Sequence, residues 1–496
     1  VTLFEVDTDG VMRLPALVRG RLVSPDERGV TITQPVLDRT TLEPTGEQRV
    51  LLLPRPDPVD LLEPDAGAAI AELARLPFAD VLAYLRALGA ELAPDRPAVR
   101  GALAAAGSIS HVDARATRVF AAQLATMFDP EGIAAAVDRD LGTGDHPGRV
   151  YLDGWVEVPG RSHQGATARM AGLAPPATRP RRRAIPTRQL HITSGNSPLV
   201  PLVSLLWALA TKGAAVLKTP VDAVLGTSAV AAAMAAAEPD HPLTRHTSIV
   251  YWPGGDAGVE DALLADGSFD RWVVWGSSET VAAVVPRARG ANTIVMGPRV
   301  GVSLIGAEAL TDVPATARRA ASDALIADQA ACSASLVHFV EGSEADALAY
   351  CEELQTALAD WDRSLPHVLP RRTLGRIRAL RRGQLVHATW FQNGRWPYLT
   401  SAVVYAPAGF DLAQHPGGRC VVVRRVDQLR DAVRALHAGI AAVGVAPESA
   451  RVELAVEIAA RGVDRVMALG DVEHAYAGMS QDGMRVLSQL VRWVDG

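Results

Sequence analysis

Between residues 186 and 300 short β-branched runs alternate with apolar helical stretches, and this rhythm restricts the chain more than any other feature. Candidate strands are 189–192, 214–217, 247–251, 271–275 and 293–295, and candidate helices lie between them at 198–210, 222–237, 256–265 and 278–287. A parallel strand pair needs a long crossover, and a sheet built that way needs cover on both faces. The pattern therefore predicts a doubly wound α/β domain whose ligands sit beyond the carboxyl ends of the strands. No G-x-G-x-x-G follows the first strand, so the common dinucleotide fingerprint is absent.

Three of those strand ends carry polar or small residues. The first opens into His191-Ile192-Thr193-Ser194-Gly195-Asn196-Ser197-Pro198, and the second ends Val216-Leu217-Lys218-Thr219-Pro220. Composition sharpens both. Arginine is the cation almost everywhere, the only lysines are Lys212 and Lys218, and asparagine occurs only at 196, 292 and 393. A lysine at a strand end in such a chain points to a ligand. Asn196 also suits an Asx-turn, and that reading stands beside a functional one. The third end is Trp275-Gly276-Ser277-Ser278, a glycine followed by a helix N-cap. Free amides and the helix dipole suit a pyrophosphate there, although an ordinary capped helix has the same sequence.

At 496 residues the chain exceeds one ordinary core, and two or three domains are expected. Residues 1–185 read as a β-rich and then helical region ending in a linker. Residues 186–300 form the ligand-binding unit, with 471–496 returning to it, and 301–470 make a second α/β unit. In that second unit 315–327, 343–361, 371–381 and 426–438 read as helices, 336–340 and 420–423 as strands, and a βαβ-like stretch runs to 469. The tail 480–493 has an amphipathic helical pattern. Arg179-Pro180-Arg181-Arg182-Arg183 follows a Gly/Pro-rich stretch and reads as a solvated linker, with phosphate contact the sharper alternative.

Several classes are disfavoured. A formal charge of −6 with no long basic run argues against a nucleic-acid binder. The apolar run 198–210 is too short to span a bilayer, and no apolar leader opens the sequence. Three cysteines do not make a disulfide framework, so a reduced, cytoplasmic setting is expected, and no metal site is anticipated.

The cysteines differ in setting. Cys351 lies in a helical run and Cys420 opens an apolar strand, both suited to packing. Cys332 sits in the small, polar turn Asp328-Gln329-Ala330-Ala331-Cys332-Ser333, where free backbone amides would stabilise a thiolate.

Taken in order, the turn at Gly195-Asn196, the strand ending Lys218, the Cys332 turn and the tail Asp482-Gly483 with Leu490-Val491-Arg492-Trp493 resemble the LuxC-type acyl-CoA reductases of the aldehyde dehydrogenase superfamily. The likeness covers roughly 190–340 and the last stretch of the chain. It implies an aldehyde-dehydrogenase-like fold, with two doubly wound α/β domains, a small β oligomerisation element and a homodimer or higher oligomer. It further implies that Cys332 attacks an acyl thioester, carried by CoA or an acyl carrier protein, and that Asn196 with the Cys332 amide forms the oxyanion hole. Lys218, Thr219, Gly276, Ser277, Ser194 and Gly195 fall where the family holds its nicotinamide cofactor.

Departures from the family carry information too. NAD-preferring relatives often place a glutamate where this chain has Val221, and Thr219 would donate to a 2′-phosphate, so the expectation leans to NADPH with NADH possible. The strand end Val295-Met296-Gly297-Pro298 lacks the glutamate that activates water in hydrolytic members. Gln414 stands where the second superfamily acid would contact ribose, and the residue before Asp482 is Gln481. The leading expectation is reduction of an acyl thioester to an aldehyde. A CoA-acylating aldehyde dehydrogenase, or a cofactor-free acyl-transfer or scaffold protein on the same fold, remain alternatives. An aromatic cluster at Trp390, Phe391, Trp396 and Tyr398 suits either an acyl tunnel or a packed loop.

Overall fold

A computed structural model describes the chain except residues 1–3, 5, 39–43, 110–125, 145, 159–166, 168–169, 173–178, 196, 198, 289–290, 368, 370, 384–386, 397 and 475–478. The expected rhythm is realised as five parallel strands, Arg188–Ile192, Ala214–Lys218, Thr247–Val250, Arg271–Trp275 and Asn292–Met296. Across the sheet the order is fifth, fourth, first, second, third, followed by the antiparallel hairpin Ala16–Val18 and Arg21–Val23. The order reverses between Arg188–Ile192 and Arg271–Trp275, which is where a doubly wound sheet opens a crevice. Through this hairpin the N-terminal region supplies two strands of the sheet.

The helix Val200–Ala210 is apolar nearly all round, as a helix trapped between a sheet and other helices must be. Its Leu202, Leu205 and Leu209 join one core with Phe78, Leu85 and Leu88 of the N-terminal helix Phe78–Glu91. Lys212 ends this helix in a left-handed conformation (φ 56°) and is fully buried. Its ammonium donates to the carbonyls of Leu76 (2.5 Å) and Leu152 (3.1 Å) and to Asp153 Oδ1 (2.8 Å). The two lysines thus part company, and Lys212 is a clasp between the N-terminal helices and the sheet. Burial pushes its pKa down, with the Asp153 carboxylate opposing.

Under the crevice runs a polar row. His191 is sealed between Ser204 Oγ (3.1 Å) and Gln189 Oε1 (3.0 Å), and burial pushes its pKa down to about 3, so it is neutral. Trp275 Nε1 donates to the same Ser204 hydroxyl at 2.9 Å. These partners fix His191 as a structural residue.

The second sheet runs in the order Thr389–Arg395, Tyr398–Tyr405, Cys420–Val426, Ser335–Glu341, Val300–Ile305, Ile440–Ala446, Arg465–Ala468, parallel except for its first pair. The long helix Glu344–Ser364 starts at a capping box in which Ser343 and Asp346 satisfy each other's amides. Cys420–Val426 stays extended because Val426 pairs with Glu341, so the helix expected over 426–438 shrinks to Leu429–Arg434.

The tail is helical only over Val486–Leu490, where the buried Asp140 caps the amides of Leu487 (2.6 Å) and Ser488 (3.3 Å). It then turns into the strand Arg492–Asp495, which pairs with Arg181–Ile185. Val486 and Leu490 pack with Val273, Trp275 and Ile294 of the first sheet. Arg181–Ile185 is therefore the middle strand of a small antiparallel sheet whose other edge is Val156–Glu157, not a solvated linker. Its cations face carboxylates: Arg179 and Arg181 meet Glu157, and Arg182 meets Asp495. Arg183 donates to the carbonyl of Ala74, so phosphate contact has no free arginine there.

Candidate active site

Cys332 lies in the turn that leads into the strand Ser335–Glu341, half-buried, while Cys351 and Cys420 are fully enclosed. The approach to it is strained. Ala327, Asp328 and Gln329 take left-handed φ values of 48°, 55° and 67° in succession. None is glycine, and each such residue costs about 1–2 kcal/mol. A second left-handed run, Gly417, Gly418 and Arg419 at 68°, 70° and 52°, lies against it. The two runs are locked together. Gln329 Nε2 donates to the Cys420 carbonyl (2.8 Å), and Gln329 Oε1 accepts from the Cys420 amide (3.1 Å). The buried Arg419 guanidinium holds Asp328 (2.5 Å), Asp362 (2.7 Å) and the carbonyl of Leu365 (3.0 Å).

The electrostatic setting reverses one expectation. Burial, followed by the charge of Asp482, pushes the Cys332 thiol up, against the smaller pull of Arg465 and Arg299. The turn alone therefore does not supply a thiolate. Asp482 reaches the site from the tail, on the tight turn closed by Gln481 and Met484 (2.9 and 3.0 Å). Its own carboxyl is raised by burial, with Arg299 and Arg465 opposing. Gly483 beside it packs against Asp464, the ion-pair partner of Arg299, so closely that a Cβ would lie 2.6 Å from Asp464 Oδ1.

At the carboxyl edge of the first sheet, Thr193 ties the two leading strands together. Its amide (3.1 Å) and hydroxyl (2.8 Å) both donate to the Lys218 carbonyl. Ser194 and Gly195 follow in the crevice loop, and Asn196 lies outside the described residues. The Lys218 ammonium sits 6.0 Å from the Trp252 ring centre and has no ion-pair partner among the described residues. Burial lowers its pKa and the Glu260 charge opposes. Thr219 is buried, and its hydroxyl donates to the Val250 carbonyl (3.2 Å), which spends the hydrogen that a 2′-phosphate would have needed.

Asp222, one residue beyond Val221, stands at the crevice. A Cβ on Gly195 would come within 3.0 Å of its Oδ2. Gly276 likewise allows close approach, since a Cβ there would meet Thr280 Cβ at 2.7 Å. Ser277 caps the helix Ser278–Val284 by accepting from the Thr280 amide (3.3 Å).

Other polar and aromatic residues of the second domain are engaged elsewhere. His338 is sealed against Tyr350 (2.8 Å), and burial takes its pKa down to about 3. Gln414 is exposed and donates to Asp411 (3.3 Å). Trp390 and Trp396 pack on the second-domain core under Arg381 and Arg378 at the edge strands, while Tyr398 is exposed. Among the described residues no cluster of metal-ligating side chains occurs, and no helix is long and apolar enough to cross a membrane.

Residues 177–493 match the family described as acyl-CoA reductase (LuxC). The chain belongs to that family. Among its LuxC relatives, the long-chain acyl-protein thioester reductase of Photorhabdus laumondii is 27% identical over 320 residues, 62% of this chain. The match spans 63% of that relative's length. Solved structures agree on the fold. An oxidoreductase from Marinobacter aquaeolei aligns over 97% of this chain and 98% of its own with a TM-score of 0.71 at 15% identity. Aldehyde dehydrogenase 21 from Physcomitrella patens covers 97% of both chains with a TM-score of 0.69 at 14% identity. The LuxC chain thus has the aldehyde dehydrogenase fold with its two α/β domains.

Sequence reasoning passed over Gln329, Arg419 and Asp222. Gln329 and Arg419 were visible as residues, but their latch needs the two left-handed runs to face each other. Asp222 was overlooked because attention stopped at Val221. Asp482 was noticed without a role, and only the folded tail brings it into the field of Cys332.

Proposed function

We propose that this LuxC-family chain reduces an acyl thioester to an aldehyde through an acyl-Cys332 intermediate, using a nicotinamide dinucleotide. The observation that carries the reading is the setting of Cys332. It is the one cysteine not sealed in a core, and it stands behind a strained turn that two independent latches hold in place. Backbone strain that the surroundings over-determine clusters at active sites and ligand clamps.

In this reading Cys332 Sγ attacks the thioester carbonyl carbon, the bond to the donor sulfur breaks, and the donor thiol leaves with the proton Cys332 gives up. Asp482 is the acid whose field reaches Sγ, and with its carboxyl raised by burial it is suited to pass that proton. Bound nicotinamide supplies a hydride equivalent. The resulting thiohemiacetal on Cys332 collapses, expelling the thiolate and freeing the aldehyde. Both tetrahedral stages put negative charge on oxygen, which the Cys332 amide and Asn196 would hold; one such donor is worth about 100–1,000-fold in rate. Met296 ends its strand without a carboxylate to activate water, which protects the acyl-enzyme from hydrolysis.

The residues present fit the cofactor. Lys218, with no carboxylate paired to it among the described residues, would meet the adenosine ribose. The loop Ser194-Gly195 and the turn Gly276-Ser277, which opens the helix capped by Ser277, would meet the pyrophosphate. What supports NADH over NADPH is Asp222, because a carboxylate at Gly195 hydrogen-bonds a ribose 2′-hydroxyl and repels a 2′-phosphate. This reverses the lean drawn from Val221 alone. The name of the Photorhabdus relative, an acyl-protein thioester reductase, makes a protein-borne acyl group the preferred donor.

A thioester panel assayed with NADH and NADPH, reading aldehyde and oxidised cofactor, tests the proposal. Aldehyde should form faster with NADH, Cys332→Ala should abolish both turnover and acyl labelling, and Asp222→Ser should move the preference towards NADPH. Turnover retained in Cys332→Ala would sink it.

A further inference from the structure

We infer that the arginine face of the helix Arg371–Arg382 is the seat of an acidic, acyl-bearing protein that delivers the thioester to Cys332. The inference rests on the acyl-thioester reading above and names the surface that would receive its protein-borne donor.

This helix carries Arg371, Arg372, Arg376, Arg378, Arg381 and Arg382 and no acid, and all six are exposed. Among the described residues none of them has an ion-pair partner, in a chain where exposed arginines are otherwise commonly matched. Arg430 meets Glu453 and Glu457, Arg451 meets Glu448, Arg434 meets Asp431 and Arg425 meets Asp427. Cations left unmatched on one face of a chain with net charge −6 form a local positive field against the overall sign.

Their placement says what fits. Ile377 and Leu380 are buried against the second-domain core, which fixes which side of the helix faces out. At 3.6 residues per turn, Arg371, Arg378 and Arg382 fall on one outward line about 16 Å long. Arg378 is held over the Trp396 ring at 5.1 Å, so its charge is presented in a fixed place. A line of separated guanidinia does not converge on one phosphate. It matches carboxylates repeated along a helix, which an acidic protein surface provides.

The helix is also joined to the Cys332 turn. A Cβ on Gly418 would lie 2.4 Å from Thr373 Cγ2, and Arg376 donates to the His415 carbonyl (2.8 Å). Gly418 is followed by Arg419 and Cys420, the two residues that grip Asp328 and Gln329 just ahead of Cys332. A protein seated on this helix therefore stands beside the site, on elements that hold the nucleophile's turn.

The test compares the full-length wild type with Arg371→Glu/Arg378→Glu/Arg382→Glu and with the matching triple lysine variant. Substrates are octanoyl groups on an acidic bacterial acyl carrier protein and on pantetheine. The glutamate variant should lose at least about tenfold in kcat/KM for the protein-borne substrate, together with its salt dependence, while octanoyl-pantetheine stays within about twofold. The lysine variant should restore the protein-borne rate. An equal loss on both substrates, or no loss on the carrier, overturns the proposal. If the wild type reduces neither substrate, the reductase reading fails. The docking proposal is then decided by fluorescence-anisotropy titration of the labelled octanoyl carrier protein, where equal affinity for wild type and glutamate variant overturns it. A duplex DNA bound more tightly than the carrier, and released by the glutamate variant, assigns the face to nucleic acid and overturns it as well.

Discussion

Replacing Gln329 by leucine tests whether the strained turn is held or merely tolerated. Leucine fills nearly the same volume, so packing changes little. What disappears is both hydrogen bonds to the backbone of Cys420, a residue with no exposure. Two buried backbone groups left unpaired cost about 1–3 kcal/mol each, roughly 2–6 kcal/mol together. The three left-handed residues 327–329 store about 1–2 kcal/mol each, roughly 3–6 kcal/mol in all. The two sums are close, so with only the Arg419 grip on Asp328 left the turn should relax around Gln329, and most of the unpairing penalty should be relieved. The expected signature is a small change in thermal midpoint with a large change at Cys332. A displacement of about 1 Å of a reacting atom costs on the order of 100-fold. Iodoacetamide alkylation isolates the effect, because Cys351 and Cys420 are fully enclosed. Acyl labelling of Cys332 should fall about 100-fold and its alkylation rate should change as well. A variant that unfolds several kilocalories earlier yet keeps wild-type alkylation and acylation would refute the reasoning, since the turn would then hold its shape without the latch.

Two further outcomes follow from the charges. Asp482→Asn removes a negative charge that raises the Cys332 thiol, so the pH profile of alkylation should move to lower pH; an unchanged or higher midpoint would remove Asp482 from the site. His246 is bridged by Glu63 (2.8 Å) and Glu72 (3.0 Å); burial alone would lower its pKa, but these partners together raise it, and the His246 hydrogen bond is the main cause that lowers Glu72. The histidine's contribution is complete below about pH 6.5 and is lost as pH rises through its raised folded value. The Glu72 contribution is lost only as pH falls through its lowered value, so the melting difference between wild type and His246→Gln should be largest in mildly acid solution and shrink in alkali. A constant difference would deny the ion pair.

Much of the first sheet was legible because its strands are short, apolar and separated by helices of full crossover length. Arg271–Trp275 was readable to the residue, and Lys218 was correctly placed at a strand end. What sequence periodicity could not convey was pairing at long range. The stretch 179–183 looks solvated until Glu157 and Asp495 supply its partners, and 480–493 looks helical until Arg492–Asp495 finds an edge at Arg181–Ile185. The two lysines show the same limit. Lys212 and Lys218 stand close in sequence, yet one is consumed by residues more than 50 positions away and the other meets the Trp252 ring. At the candidate site, the Cys332 turn was identifiable from its small polar residues. Its thiol is nevertheless raised rather than lowered, because burial and the tail's Asp482 outweigh the amides.

Lys212 also bears on how this chain can be cut and recombined. A fragment beginning at 186 would lose the carbonyls of Leu76 and Leu152 and the carboxylate of Asp153, leaving a bare ammonium in an apolar groove. It would also lose the hairpin Ala16–Val18 and Arg21–Val23, exposing the edge of Thr247–Val250 to strangers. The half built on the first sheet is therefore not a transplantable cassette. Any chimera that exchanges it must carry the N-terminal hairpin, the two helical carbonyls and the tail along with it, and recombination within the family is expected to succeed at junctions that keep those distant pieces from one parent.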